Sequence, residues 1–288
     1  MNPIIFDSRS FYDRGWWASN GSDELDDCAH RELAAVTAVN LVLPLLSGAG
    51  LPWKPDCALF CWDGKVGKTI KPRPPKPPGF NDDLAHFVGV LPKLVGGCHF
   101  TAPDRTESDD AVATAAATLR KQGHEVVVAS GDKDLQQLAR PGVHYYCFQK
   151  RGLLTPEDVC KKWGLQSPRR LAVYLAIVGD VKDGIHGVYN WGKVKATKLL
   201  NELDHGQPIS ELVESIAGAI PPEEVDNFYG SLDATLLNSS VTGVPLPGPI
   251  KFASPDELKT LGVGRLRQGW LRYTAATASS SADADLEP

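Results

Sequence analysis

No apolar run in this chain of 288 residues reaches the ~18 residues that a membrane-spanning helix needs. The opening MNPIIFDSRS lacks the basic-then-apolar order of a secretory signal, so a cytoplasmic setting without a membrane partner is expected. Cysteine is scarce. Six residues, no CxxC and no histidine at zinc spacing argue against a disulfide scaffold and a Cys/His zinc site. Cys57 and Cys61, the one close pair, sit in a segment that reads as a buried strand, where thiols act as small hydrophobes. A basic excess is also missing. The net charge of −5 argues weakly against a polyanionic partner, unless the acids cluster and bind cations.

What is present has an ordinary globular balance, 42% hydrophobic and 23% charged. At roughly 100–200 residues per domain, the length suits one large domain or two smaller ones. Apolar runs at Pro3–Phe6, Cys57–Trp62, Cys98–Thr101, Glu125–Ala129 and Val143–Phe148 read as strands. Helical patterns cover 29–46, 81–95 and the Ala-rich Ser108–Gln122. This alternation predicts an α/β domain over 1–155, with a mainly parallel central sheet flanked by helices. Pro156 marks a helix start, and helical patterns at 168–179, 193–203, 209–218 and 222–238 predict a helical region over 156–274. The small, polar residues 275–288 read as a disordered tail.

In parallel sheets, sites form beyond the carboxyl ends of the strands. Asp7 and Asp63 end the first two runs. Glu107, Asp109 and Asp110 follow the third, and Asp132 and Asp134 follow the valine run. Asp180 and Asp183, spaced i, i+3, face one side of a helical turn. Any one of these acids is as well explained as a helix cap or first-turn charge. Together they would repel strongly without cations, and an all-oxygen set suits Mg²⁺ or Mn²⁺. Two such ions about 3.5–4 Å apart are the usual arrangement for phosphodiester hydrolysis.

Three segments occur in order: IIFDSRSFYDRGWWA, ESDDAVATAAATLRKQGHEVVVASGDKDLQQL and GDVKDGIHGVYNWGKVKATKLL. They resemble the structure-specific 5′ nucleases: the N-terminal nuclease domain of bacterial DNA polymerase I, flap endonucleases and bacteriophage 5′→3′ exonucleases. The resemblance runs from about residue 4 to about 247. It implies a PIN-like fold, a DNA substrate with a 5′ end, nick or flap, and two metal ions. Residue by residue, it assigns Asp7, Asp63, Glu107, Asp109, Asp110, Asp132, Asp134, Asp180 and Asp183 to the metal site, with Ser108 in place of the usual Ala. Asp110 and Asp132 are the acids whose loss is expected to abolish cleavage.

Gly187 to Ala196 resembles the family's helix–three-turn–helix motif, with Asn190 for its second Gly and Trp191 for its Ile. The resemblance implies phosphate binding by Gly187, Gly192, Lys193 and Lys195, and K⁺ held by backbone carbonyls. On spacing alone, an ordinary helix-connecting turn explains the glycines equally well. Lys65, Lys68, Lys71, Arg73 and Lys76 follow Asp63 in an acid-free stretch that includes KPRPPKPP at 71–78. A solvated linker would have this composition. The resemblance makes it a cationic gateway, with Lys68 and Lys71 acting near the scissile phosphate, and its prolines exclude an ordinary helix.

Neutralising the nine proposed metal-site acids turns −5 into +4, so a DNA-facing surface can be basic despite the acidic total. The expected activity is thus metal-dependent 5′→3′ hydrolysis of DNA by a monomer. Two other readings stand beside it: a non-catalytic DNA-junction binder on the same fold, and a PIN-like ribonuclease. Metal-dependent cleavage separates the first from an enzyme, and matched DNA and RNA duplexes separate the second.

Overall fold

The computed structural model describes residues 1–19, 27–65, 77–254 and 256–257. Lys68, Lys71, Arg73 and Lys76, with the expected tail at 275–288, lie outside the described residues.

Each expected apolar run forms a strand: β1 (Pro3–Asp7), β2 (Cys57–Trp62), β3 (Cys98–Thr101), β4 (Val126–Ser130) and β5 (Val143–Cys147). They lie in the order β3-β2-β1-β4-β5, with every neighbouring pair parallel. Two short strands extend the sheet. β6 (Gly152–Leu154) runs antiparallel to β5, and β7 (Gly248–Pro249) pairs with the start of β2, below the residues that β3 takes. Neither has enough residues to show an alternating pattern, so periodicity could not announce them.

β1, β2 and β4 are buried at every position, because helices cover both faces of the sheet. Period-two alternation sends Ile4 and Phe6 to one face and Ile5 to the other. On the first face pack α1 (Ser8–Ser19), α2 (Asp27–Leu46) and α3 (Phe80–Leu94). There Phe6 stacks on Phe60 at 4.9 Å, and Phe11 meets Phe6 edge-on. Each such pair adds about 0.5–1.5 kcal/mol beyond burial. Residues 8–19, to which the apolar periodicity assigns no element, are helical through the short stripe Phe11, Tyr12 and Trp16, all buried. On the second face lie α4 (Ser108–Lys121) and α5 (Pro156–Trp163), the latter opened by a Thr155–Asp158 capping box.

A third apolar cluster joins α6 (Leu171–Val178), α7 (Lys193–Leu203), α8 (Ile209–Ala217) and α9 (Val225–Thr235). Arg170 clamps its base, donating to both carboxylate oxygens of buried Asp204 at 2.9 and 2.7 Å. The patterns at 168–179 and 222–238 begin as 3-10 turns, Pro168–Arg170 and Pro222–Glu224, before turning α-helical. After α9 the chain goes back to the sheet: Leu237 and Val244 pack on the α4 face, and Ile250 packs on the other. Within the expected helical region 156–274, the helices run to Thr235 and the chain then rejoins the sheet through β7. Among the described residues, no helix is long and apolar enough to cross a membrane.

Candidate active site

Because β1 to β4 are parallel, their carboxyl ends share one edge. A cleft of about 430 Å³ opens there, lined by Asp7, Asp63, Glu107, Asp109, Asp132 and Asp183. Serines from neighbouring strand ends fix its floor. Ser130 Oγ donates to Asp7 Oδ2 at 2.7 Å, and Ser108 Oγ donates to Asp7 Oδ1 at 3.1 Å. The Ser108 amide donates to Asp63 Oδ1 at 2.9 Å, and the Asp132 amide donates to Ser130 Oγ at 2.8 Å. Ser108 thus links two acids with its hydroxyl and amide, a task an alanine there could only half perform.

Asp7 is 2% exposed. Burial pushes its carboxyl up to about 7; the Ser130 hydrogen bond opposes this, while the charges of Asp132 and Asp63 add to it. Neutral donors orient Asp7 but bring no positive charge. Gly64 keeps Asp63 in place: a side chain there would meet Pro103 O at 2.0 Å, so only glycine lets the exits of β2 and β3 touch.

Asp134, Asp180 and Asp183 form a second group, all buried, with one carboxylate oxygen from each within 4.8 Å of the others. Asp180 caps the 3-10 turn Val181–Asp183, accepting from the Lys182 amide at 3.2 Å. The expected i, i+3 pair therefore sits on a 3-10 turn. Lys133 makes an ion pair with Asp180. Burial opposes the Lys133 charge, but Asp180, Asp134 and Asp132 outweigh it and hold the ammonium above its usual value.

Of the nine expected acids, Asp110, Asp134 and Asp180 do not line the cleft. Asp110 faces the chain returning from α9, where its Oδ1 accepts from the Asn238 amide at 2.8 Å. Lys65 is exposed and also off the cleft wall. Sequence reasoning overlooked Arg9, Arg14 and Lys182, the cations that do line it. Arg9 Nη1 lies 3.5 Å from Asp63 Oδ2, and its guanidinium sits 4.8 Å from the Phe80 ring centre. Its position two residues after Asp7 is the only trace in the sequence.

In the 187–196 segment, Gly187 has φ +68°, and a Cβ there would meet Gly179 N at 2.4 Å. Asn190 adopts φ +58°, the conformation asparagine tolerates in place of glycine. Gly192 is extended, and a side chain there would meet nothing, so no steric demand explains it. Trp191 is buried, and Lys195 Nζ lies 3.9 Å from its ring centre. Lys193 and Lys195 are both exposed at the start of α7.

Comparison with known proteins agrees with this geometry. The family model described as "5'-3' exonuclease, N-terminal resolvase-like domain" matches residues 3–164. The chain belongs to the 5′-3′ exonuclease family. DNA polymerase I of Bacillus subtilis is 31% identical over 155 residues, 52% of this chain and 17% of that protein. The 5'-3' exonuclease of Buchnera aphidicola is 27% identical over 168 residues, 57% of this chain and 58% of that one. The chain thus spans under a fifth of the polymerase's length and a little over half of the Buchnera protein's. Among solved structures, the T5 D15 protein co-crystallised with metal ions aligns with a TM-score of 0.63 at 15% identity, covering 95% of this chain and 99% of that one. The catalytic core of Rad2 in complex with DNA substrate aligns at 0.58 and 13% identity, covering 96% and 92%. These structural likenesses show the fold.

Proposed function

We propose that this 5′-3′ exonuclease family chain hydrolyses DNA phosphodiester bonds in the 5′→3′ direction, at 5′ ends and flaps, using Mg²⁺ or Mn²⁺. The observation that carries the reading is the cleft: seven carboxylates, the six named above and Asp13, line it at the sheet edge, with no histidine or cysteine among its described lining residues. Hard oxygen donors of this kind fit Mg²⁺-class ions. Asp7, Asp63, Glu107, Asp109 and Asp132 would hold one ion, and Asp134, Asp180 and Asp183 a second. Bound there, such ions would supply Lewis-acid neutralisation of the phosphate charge.

The protein's own groups do the rest. Asp7, locked by Ser108 and Ser130, and Asp63, locked by the Ser108 amide, keep their oxygens fixed, so little reorganisation is needed when substrate arrives. Arg9, Arg14 and Lys182 give the cleft wall positive charge that orients a phosphate. Lys68 and Lys71, which follow Asp63 in sequence, would add charge at the scissile phosphate. The Gly187–Ala196 turn, with Lys193 and Lys195, would hold duplex phosphates, and its carbonyls would take K⁺. The polymerase and Rad2 relatives support DNA as substrate, and the chain is proposed to act as a monomer in the cytoplasm.

The test is cleavage of end-labelled flap, nicked, blunt and matched RNA duplexes, with Mg²⁺ or EDTA. Mg²⁺-dependent release of short 5′ products from DNA, lost in Asp132→Asn, is expected. Binding without cleavage in Mg²⁺, or preference for RNA, would overturn the proposal.

A further inference from the structure

A second cleft, of about 340 Å³, lies at the other end of α4. Its wall takes Arg120 and Lys121 from the last turn of that helix, Arg140 from the turn before β5, and Arg169 from the 3-10 turn ahead of α6. Arg120 lies 11 residues along α4 from Asp109, about 16 Å along the helix axis. Among the described residues, no aspartate or glutamate lines it. Among the described residues, Arg120, Arg140 and Arg169 make no ion pair, unlike Arg170, which is matched to Asp204. Arg120 is instead anchored by a 2.8 Å bond from its Nε to Pro141 O. The Arg140 Nε is buried and has no hydrogen-bond partner.

Such an arrangement is costly. Cations gathered without a counter-charge repel, and a buried donor left unmade forfeits its hydration. Burial first, then the charges of Arg120 and Arg169, hold the Arg140 guanidinium below its usual value. A single anion with several acceptor oxygens removes all of these costs together. Phosphate suits best, because planar guanidinium forks match its oxygens in pairs. Leu138, Ile209 and Leu236 supply an apolar wall beside the arginines, room for more than a bare ion.

We infer that this cleft is a phosphate-binding site separate from the acid-lined cleft, holding a phosphate group that is not the one cleaved. It takes either a free phosphate compound or a backbone phosphate of bound DNA, and the chemistry is the same for both. The cleft also reaches the acids through protein. Gln137, on its wall, donates from Nε2 to the Asp134 carbonyl at 2.8 Å and to the Thr235 carbonyl at 3.1 Å. An occupant would steady the 3-10 turn Asp134–Leu138, which carries an acid of the second group at its far end.

The test uses the whole chain in EDTA, where the acid-lined cleft repels anions. Thermal melts and calorimetry are run with inorganic pyrophosphate on wild type, on Arg169→Gln, on Arg140→Gln/Arg169→Gln, and on Asp132→Asn. Wild type and Asp132→Asn should gain Tm, while the arginine variants lose most of the gain and bind about tenfold more weakly or worse per guanidinium removed. Arg169 is exposed, so its single variant guards against a folding failure of the double. Without anion, the double variant should melt no lower than wild type, because repulsion has been removed. In a second arm, duplex binding is measured against salt. For a DNA phosphate, the double variant loses about one unit of slope and pyrophosphate competes with duplex. For a free phosphate compound, the slope is unchanged. Variants that match wild type in both arms overturn the inference.

Discussion

Asp7 and Asp180 are both buried carboxylates at the same edge of the sheet, yet they are held by opposite means. Asp7 is tied by two serine hydroxyls and an amide, all neutral. Asp180 is tied by the Lys133 ammonium. Neutral donors fix direction without cancelling charge, so burial first, with the charges of Asp132 and Asp63 added, raises the Asp7 carboxyl. The second group carries one cation of its own against three carboxylates and is partly balanced before any ion arrives. Nearest the cleft floor, then, the protein leaves a charge deficit for a bound ion to fill; beside the helical region it has partly filled that deficit itself.

The comparison can be broken most directly at the chemistry. Asp132→Ala or Asp109→Ala should lower single-turnover cleavage by about a thousandfold, whereas Asp183→Asn should chiefly raise the Mg²⁺ concentration at half-maximal rate. Equal losses at saturating Mg²⁺ would erase the distinction.

pH sharpens it further. Asp7 has an ordinary value of 3.8 and sits at about 7 in the folded chain, so the folded state holds this proton more tightly than the unfolded one. The resulting stabilisation is full below 3.8 and is lost as pH rises through about 7, up to about 4 kcal/mol for the metal-free protein. Melts in EDTA should show Tm falling across that window, with Asp7→Asn flattening the fall.

Lys133→Met takes the internal cation from the second group. Metal-free stability should drop by about 1–3 kcal/mol, and the Tm gain on adding Mg²⁺ should exceed that of wild type. A smaller gain would mean that Lys133 does not stand in for an ion. The least effect is expected far from both groups: Lys193→Ala with Lys195→Ala should weaken all duplexes alike and reduce the salt slope by about one unit per lost phosphate contact.

The strands that carry the acids were legible because each is a short apolar run ended or soon followed by a carboxylate, and a parallel sheet sends such ends to one edge. The spacing of Asp180 and Asp183 was legible as a helical turn. Less could be seen where structure depends on distant partners. The segment Asp134–Leu138 is buried although it contains two glutamines, since Gln136 accepts from Trp163 and Gln137 bonds to the Thr235 carbonyl. Strands of two or three residues carry no period. Asp110 looked equivalent to Asp109 in sequence, but one step along a helix turns a side chain by about 100°, and that step takes it from the cleft to Asn238.

That last contact bears on how the molecule comes apart. The helices α6 to α9 are an excursion closed at both ends, leaving the sheet after α5 and pinned on return by Asp110 to the Asn238 amide and by Thr114 to the Val241 amide. A loop with anchored ends refolds with little closure entropy left to lose, so this excursion can melt and reform as one unit while the strands stay intact. Asp180 and Asp183 travel with it; Asp134 stays with the sheet. Amide exchange in α6 to α9 would accordingly be faster than in β1, β2 and β4, and each opening would dismantle the second acid group while leaving the first assembled.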